Sequence, residues 1–301
     1  AAKDYEGLLK ACGTSKASPA ARAPLQAAAL IGQRRREEAE RFYEVLIAEK
    51  ADAKLLVAYA NLLLSSGKRD EAGRRYADAL KMEPGNAVAH LGLAVLAADR
   101  NAWAEAKAHS EAAIQADGSI AYAHVILGES ELAANHPKEA LTACERSLAL
   151  DSRSLRARFL QGLIFQELGR YDDAEVSLKR CSAERPDSAT FRWHLAKLYL
   201  TKAAPARALA LIDEALKGKS TDESTFLGLR MVALAQSGKF DEAKAALKKL
   251  SPSMTPSKVL ICESWLLERE GKPAEALNVL RGKLEDPDAA YRWAQLTVEQ
   301  G

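Results

Sequence analysis

Five histidines are the first candidates for chemistry in this chain of 301 residues. His90 and His124 lie 34 residues apart, and His109 lies between them. Imidazole nitrogens bind zinc, but a zinc site needs three or four ligands held close together. No Cys, Asp or Glu completes a recognisable ligand spacing around these histidines. We therefore predict that they fill space between helices, and a metal site is the alternative interpretation.

The four cysteines are Cys12, Cys144, Cys181 and Cys262, and they show neither a CxxC pair nor a metal-ligand spacing. We predict that the last three are small apolar residues of the core, because free cysteine is among the most buried residue types. A disulfide or a redox role is the alternative. This cysteine usage favours a reducing compartment.

The sequence lacks the usual signals of a catalytic site. Gly-Lys pairs such as Gly67-Lys68 follow no predicted strand, so they are turns and not phosphate-binding loops. Neither a GxSxG elbow nor an HExxH pair is present. We predict that the protein is not an enzyme and that it binds no cofactor and no metal.

An alanine recurs along most of the chain at a nearly constant interval, with steps of 34, 34, 34, 34, 35 and 33 residues. A fixed period of this length indicates one structural unit stacked many times. The recurring positions are Ala72, Ala106, Ala140, Ala174, Ala208, Ala243 and Ala276.

Each copy reads as a helical hairpin. In residues 53–86, apolar residues at three-and-four spacing form a stripe on each of two helical stretches. Gly67 lies between the stretches and can take the left-handed conformation that ends a helix. Pro84 stops the second stretch. Glycine or asparagine recurs at the place of Gly67 in the later copies, with Ala203 as the exception.

These features resemble the tetratricopeptide repeat (TPR) family. That family pairs a small residue beside a Leu in the first helix with an Ala in the second helix and a closing Pro. Residues 53–86 and 155–188 match this pattern best. The resemblance implies an all-α fold, a right-handed superhelical solenoid of stacked antiparallel helix hairpins. It also implies that the first helices line a concave groove that binds a peptide or a partner segment.

We predict seven TPR-like repeats between residues 53 and 289, with weaker elements at both ends. Residues 1–18 are predicted to be an N-terminal helix and linker, 19–52 a degenerate first repeat and 290–301 a C-terminal capping helix. The seven predicted repeats are 53–86, 87–120, 121–154, 155–188, 189–223, 224–256 and 257–289.

The first-helix positions that face the predicted groove are largely aliphatic and aromatic. Exposed apolar patches mark binding sites, with aromatic residues as anchors. We expect the groove to bind an amphipathic helix or an apolar extended segment. The predicted groove residues are Val57, Asn61, Val88, Leu91, Val95, Tyr122, Val125, Glu129, Phe159, Leu163, Trp193, Lys197 and Trp265.

Charge and hydropathy argue against two other classes of partner. A net charge of +2 spread along the chain gives no strong field for nucleic acid. No apolar stretch approaches the ~18 residues of a membrane span, so we expect no direct membrane insertion. We expect a cytoplasmic protein, with a periplasmic one as the alternative if a signal peptide has been removed. Rich use of Ala and Arg favours a bacterial source.

Together these observations predict a non-catalytic scaffold or adaptor that binds one or more protein partners. The alternative is a recruitment arm excised from a larger bacterial enzyme or from a pilus, envelope, motility or polarity complex. The missing initiating methionine supports that alternative. A stand-alone enzyme is the third interpretation.

Overall fold

A computed structural model describes residues 19–217 and 223–300 of the chain. These residues form seventeen α-helices and one 3-10 turn, and the described part contains no strand. The prediction of an all-α fold is confirmed. The predicted N-terminal helix and linker at 1–18 lies outside the described residues. Contacts divide the chain into two compact units, Ala1–Leu160 and Gln161–Gly301.

The first unit consists of helical hairpins. Its helices are α1 (Pro19–Gly32), α2 (Arg36–Glu49), α3 (Ala53–Ser65), α4 (Arg69–Met82), α5 (Ala87–Asp99), α6 (Trp103–Ala116), α7 (Ala121–Ala133), α8 (Pro137–Leu150) and the start of α9 (Leu155–Glu167). From α1 to α8, each helix packs against the next one, and α1, α3, α5 and α7 also contact each other in sequence. The first helices of successive hairpins therefore lie side by side in one layer.

The second unit also consists of helical hairpins, followed by one further helix. It contains the rest of α9, then α10 (Tyr171–Glu184), α11 (Ala189–Thr201), α12 (Pro205–Leu216), α13 (Glu223–Gln236), α14 (Phe240–Leu250), a 3-10 turn (Ser251–Ser253), α15 (Pro256–Arg269), α16 (Pro273–Arg281) and α17 (Pro287–Gln300). The last helix, α17, packs on both α16 and α15. Because α17 packs on α15 as one first helix packs on the next, α17 lies where a further first helix would lie.

Local sequence signals explain where several of the helices begin. The first helices α3 and α5 are capped by Asp52 and Asn86, whose side chains accept hydrogen bonds from the backbone N–H of Leu55 (2.7 Å) and Ala89 (2.9 Å). A short polar side chain at this position satisfies an N–H group that the helix leaves free. Three second helices, α8, α12 and α16, instead begin with proline, which tolerates the first helical position because its N–H would be unpaired there.

The recurring alanines all lie in second helices and have no exposed surface. Ala39 of α2 is equally buried. Small residues of the first helices complete this contact: Ala60, Ala94 and Ala196 are fully buried as well. The alanine repeat is therefore a packing device that brings the two helices of each hairpin close together.

Every hairpin loop contains one residue with positive φ. Six of these eight residues are glycine or asparagine, which reach this region at low cost. Ala203 has φ of 53° and so keeps the loop conformation although it breaks the sequence pattern. The eight positions are Arg34, Gly67, Asn101, Asn135, Gly169, Ala203, Gly238 and Gly271. Arg34 shows that the hairpin α1–α2 has the same loop as the later ones.

Candidate functional site

The first helices of the first unit carry seven of the predicted groove residues on their accessible side. We call this set, together with Arg156, the first-unit face. Val88 is 44% exposed and the other aliphatic members are half-buried. The face comprises Asn61, Val88, Leu91, Val95, Tyr122, Glu129, Phe159 and Arg156.

Two predicted groove residues of this unit are not at the surface. Val57 and Val125 are only 7% and 1% exposed. Both stand at the same position of their repeats as Leu91 and Phe159, which are half-buried. Val57 packs in the cluster of buried apolar residues that includes Leu62 and Leu63, and Val125 lies in the buried run 123–126. Val57 and Val125 are therefore core residues, and the prediction is corrected for them.

Arg156 joins two predicted groove residues from a neighbouring first helix. Its Nε and Nη2 donate to the two carboxylate oxygens of Glu129, both at 2.7 Å. The guanidinium carbon also lies 5.0 Å from the ring centroid of Tyr122, and Nη1 bonds to the tyrosine hydroxyl. The hydrogen bonds to Glu129 raise the pKa of Arg156, and burial raises the pKa of Tyr122. This cluster fixes an aromatic ring and neutralises the one carboxylate of the first-unit face.

Asn61 is held by a second helix. The hydroxyl of Tyr76 donates to Asn61 Oδ1 at 2.5 Å, and the Tyr76 ring is only 1% exposed. Burial raises the pKa of Tyr76 to about 12, so this hydroxyl remains a donor at neutral pH. Asn61 keeps its amide nitrogen available on the first-unit face.

A polar cavity of about 970 Å³ lies elsewhere in the first unit, between α4, α5 and the start of α6. Two of its arginines are already paired with acids: Arg69 with Asp99 at 3.3 Å, and Arg100 with Glu105. This cavity could not be predicted from the sequence, because its charged residues stand at ordinary solvent-facing helix positions. Its lining residues are Arg69, Asp70, Gly73, Arg74, Leu93, Leu96, Asp99, Arg100 and Glu105.

The first helices of the second unit form a separate surface, which we call the second-unit face. Four predicted residues lie here: Leu163, Trp193 and Trp265 are half-buried, and Lys197 is exposed. The Lys197 ammonium lies 5.5 Å from the ring centroid of Trp193. A cation over an indole face is stabilised by the ring quadrupole. The second-unit face comprises these four residues with Lys258, Arg269, Tyr291, Ala294 and Val298.

Trp265 is one wall of a cavity of about 390 Å³ within the second unit. The guanidinium carbon of Arg269 lies 5.5 Å from the Trp265 ring centroid, and the side chain of Gln236 is held by its hydrogen bond to the Leu200 carbonyl at 3.3 Å. An aromatic wall beside a cation and an amide suits a side chain with apolar and polar parts. The lining residues are Ala203, Pro205, Ala235, Gln236, Trp265 and Arg269.

The accessible residues of α17 are not among the predicted groove residues. Tyr291 is 68% exposed and Val298 is 81% exposed, while Leu296 on the opposite side is 1% exposed. Tyr291, Ala294 and Val298 each lie 33 residues after a residue of α15, namely Lys258, Ile261 and Trp265. They therefore occupy the same repeat positions as the predicted groove residue Trp265 and its neighbours on that side of α15. That repeat was the available signal.

The candidate histidines have structural roles. His90 Nε2–H donates to the Pro84 carbonyl at 3.0 Å, so its Nδ1 accepts from His109 Nδ1–H at 3.1 Å. His124 donates in the same way to the Gly118 carbonyl at 3.2 Å. In both copies the acceptor lies six residues earlier, in the closing turn. Burial and the neighbouring His90 lower the pKa of His109.

Cys144 and Cys181 are fully buried and Cys262 is half-buried. The Cys144 thiol donates to the Ala157 carbonyl at 3.0 Å. The burial of Cys144 and Cys181 agrees with the prediction that they pack in the core, and Cys262 is covered only in part. Within the described part of the chain, no three His, Cys, Asp or Glu side chains are grouped so that they could hold a metal ion. Among residues 19–217 and 223–300, no helix combines the length and the apolar character needed to cross a membrane.

The fold defines a class: all-α proteins built from repeated helical hairpins. Two family models for the tetratricopeptide repeat match the chain, one over residues 63–126 and 165–230 and the other over residues 125–180. Together they cover residues 63–230 without a gap, which is more than half of the chain. The chain belongs to the tetratricopeptide repeat family.

Solved structures agree with this assignment. The chain is similar to a tetratricopeptide repeat protein from Parabacteroides merdae, with 18% identity, a TM-score of 0.57 and coverage of 88% of this chain and 98% of that one. It is similar to pilF of Pseudomonas aeruginosa at 19% identity and a TM-score of 0.56, over 71% of this chain and 97% of that one.

A third similar structure is YrrB, described as a TPR protein with an unusual peptide-binding site. Its identity is 24% and its TM-score is 0.51, over 65% of this chain and 97% of that one. Identities this low establish the fold alone. A comparison with curated protein sequences finds no match.

Proposed function

We propose that this protein is a non-catalytic scaffold that binds apolar or amphipathic segments of partner proteins on its first-helix faces. The observation that carries the proposal is the half-exposed aromatic side chain of Trp265, which forms the wall of an open cavity. A tryptophan in such a position is the usual anchor point of a protein interface. Trp193 is a second aromatic residue on the first helices of the second unit, and Tyr122 is an aromatic residue on the first helices of the first unit.

The faces are already ordered by contacts inside the protein. The bidentate pair with Glu129 holds Arg156 against Tyr122, and Tyr76 holds Asn61. A surface fixed in this way loses little conformational entropy when a partner binds, so more of the contact energy contributes to affinity. TPR repeat proteins are generally interaction scaffolds. YrrB, one of the similar structures, is described as having an unusual peptide-binding site.

Site-specific photo-crosslinking in the source cells tests this function. A photoreactive amino acid replaces Leu91 or Lys197 on the two faces. The matched control position is Val176, which is 71% exposed but lies on the second helix α10. We expect crosslinks to partner proteins from the face positions and not from Val176.

The purified partner then allows an affinity measurement. Trp265→Ala is expected to weaken binding to the second unit by roughly tenfold or more, because truncating an aromatic anchor costs about 2 kcal/mol. Val176→Ala is expected to leave the affinity unchanged. Crosslinks from Val176 alone, or equal affinity of wild type, Trp265→Ala and Tyr122→Ala, would contradict the proposed function.

A further inference from the structure

We propose that the segment bound by the second-unit face is acidic as well as apolar, and that α17 contributes to this face. The inference rests on the proposed function and adds the chemistry of the partner. It follows from the charges of the second-unit face and from the register of its last helix.

Two cations of the second-unit face lie on aromatic rings and have no carboxylate partner. The Lys197 ammonium lies over Trp193 and the Arg269 guanidinium over Trp265, each at 5.5 Å from the ring centroid. Both side chains are exposed, and neither forms an ion pair with a described residue. Arg156 of the first-unit face differs, because Glu129 already neutralises it. An acidic partner would supply the missing carboxylates beside an apolar ring.

The remaining charges of the second unit's first helices are close to balanced. Glu268 is paired with Arg292, whose side chain is only 14% exposed. Lys258 is exposed and Arg192 is half-buried, and neither forms an ion pair with a described residue. Three carboxylates of these helices are also without an ion pair among the described residues: Glu167 and Asp288 are exposed and Glu263 is half-buried. The preference for a negatively charged partner therefore rests on the two cations that lie on the aromatic rings, where a complementary potential raises both the association rate and specificity.

The register of α17 shows that the apolar surface continues beyond α15. Leu296 faces the core with Ala289, while Tyr291 and Val298 are exposed on the side that matches the groove positions of α15. Gln295 and Thr297, the next exposed residues of α17, are polar. An apolar stripe on one exposed side of α17, beside polar residues suited to water, supports its part in the proposed docking surface.

Three synthetic helical peptides with one common leucine face test the charge preference. Their polar faces carry Glu, Gln or Lys, and fluorescence anisotropy gives the Kd of each for the whole chain. We expect the Glu peptide to bind roughly tenfold more tightly than the Lys peptide at low salt, because each exposed charge pair contributes a modest amount. High salt is expected to reduce this ratio, since screening weakens exposed ion pairs.

Paired variants assign the preference to named residues. Lys197→Gln with Arg269→Gln is expected to equalise the Kd values of the Glu and Gln peptides. Lys248→Gln with Lys249→Gln removes the same charge from the exposed surface of α14 and is expected to keep the preference. Tyr291→Ser with Val298→Ser is expected to weaken all three peptides equally, by roughly fivefold, because it removes apolar contact area.

The three measurements test the acidic preference, the role of α17 and the apolar binding separately. Equal binding of the Glu and Lys peptides to the wild type overturns the acidic preference while leaving the proposed function intact. An unchanged Kd in the Tyr291 and Val298 variant overturns the role of α17. Failure of all three peptides to bind overturns the proposed apolar binding itself, and this inference with it.

Discussion

The guanidinium group of Arg156 and the carboxylate of Glu129 form two parallel hydrogen bonds, Nε to Oε1 and Nη2 to Oε2, both at 2.7 Å. The residues belong to different hairpins, 27 positions apart. Bidentate geometry makes such a pair stronger than a single surface contact. The pair therefore ties α9 to α7 and at the same time sets the position of the Tyr122 ring.

A double-mutant cycle on Arg156→Ala and Glu129→Ala should give a coupling of about 1 kcal/mol in the free energy of unfolding. The matched pair is Arg100 and Glu105, whose side chains are 54% and 47% exposed. We expect that pair to couple by less than about 0.5 kcal/mol, because exposed ion pairs are screened by water. Urea denaturation of the four variants of each cycle provides the measurement. Equal coupling in the two cycles would show that the bidentate geometry adds nothing.

The loop residue Ala203 offers a second prediction, because alanine rarely adopts its φ of 53°. Ala203→Gly should raise the free energy of unfolding by about 1 kcal/mol as the backbone strain is relieved. Gly169→Ala is the reverse test at the equivalent loop position. Its φ is 70° and an added Cβ would meet nothing within 4 Å, so only the backbone cost of about 1 kcal/mol should appear. Thermal denaturation of both variants tests whether Ala203→Gly stabilises the protein and Gly169→Ala destabilises it. Two changes of the same sign would contradict this account of the loops.

The fold could be predicted from the sequence because its determinants recur. Ala72 and its repeats fix the hairpin contact, and Gly67 and its counterparts fix the loop. The predicted groove positions also followed from spacing, and the same spacing would have found Tyr291. Burial did not follow from spacing: Val57 and Leu91 share one repeat position, yet Val57 is buried and Leu91 is half-buried, because burial depends on the packing of neighbouring residues and not on register. Ion pairing did not follow either. Arg156 and Arg269 look alike in the sequence, but one has a carboxylate partner and the other lies on an indole ring.

A third prediction concerns the close approach of α5 to α4. A Cβ on Gly92 would lie 2.3 Å from Cζ of Tyr76, well inside contact distance. The Tyr76 ring is buried, so it has no space to move away. Gly92→Ala should lower the free energy of unfolding by about 2 kcal/mol, as expected for an overpacked core. Gly85→Ala is the control, since an added Cβ there meets nothing within 4 Å and surface changes stay within about 0.5 kcal/mol.

The clash also predicts a specific rescue. In a Tyr76→Leu background, which removes the ring, Gly92→Ala should cost much less than in the wild type, and the two changes should be clearly non-additive. Urea denaturation of the single and double variants gives the coupling. If the two changes in the free energy of unfolding were additive, the cost of Gly92→Ala would not arise from its contact with Tyr76.

The last prediction concerns Glu175 of α10, which is 8% exposed and accepts from three cations of the second unit. The Lys179 ammonium lies 2.6 Å from Oε1, Lys202 bonds to Oε2, and Arg207 lies 3.5 Å from Oε1. Hydrogen bonds from Lys179 and Lys202 lower the pKa of the Glu175 carboxyl to about 2, from an ordinary value of 4.5. At neutral pH, Glu175→Gln should lower the free energy of unfolding by about 1 to 3 kcal/mol, since it leaves these cations without their charge partner.

The pH dependence of this cost has a definite sign. Because folding depresses the pKa of Glu175, its contribution is fully present above pH 4.5 and is lost as the pH falls through the folded value of about 2. The difference between wild type and Glu175→Gln, measured by urea denaturation, should therefore stay constant from neutral pH to about pH 5 and shrink steadily below pH 4.5. Glu184→Gln is the control: its carboxylate pairs with Arg180 on the exposed surface of the same helix at 3.1 Å, and it should cost less than about 0.5 kcal/mol. A Glu175→Gln difference that persists undiminished in acid would mean that the residue stabilises the second unit by packing, and not by its charge.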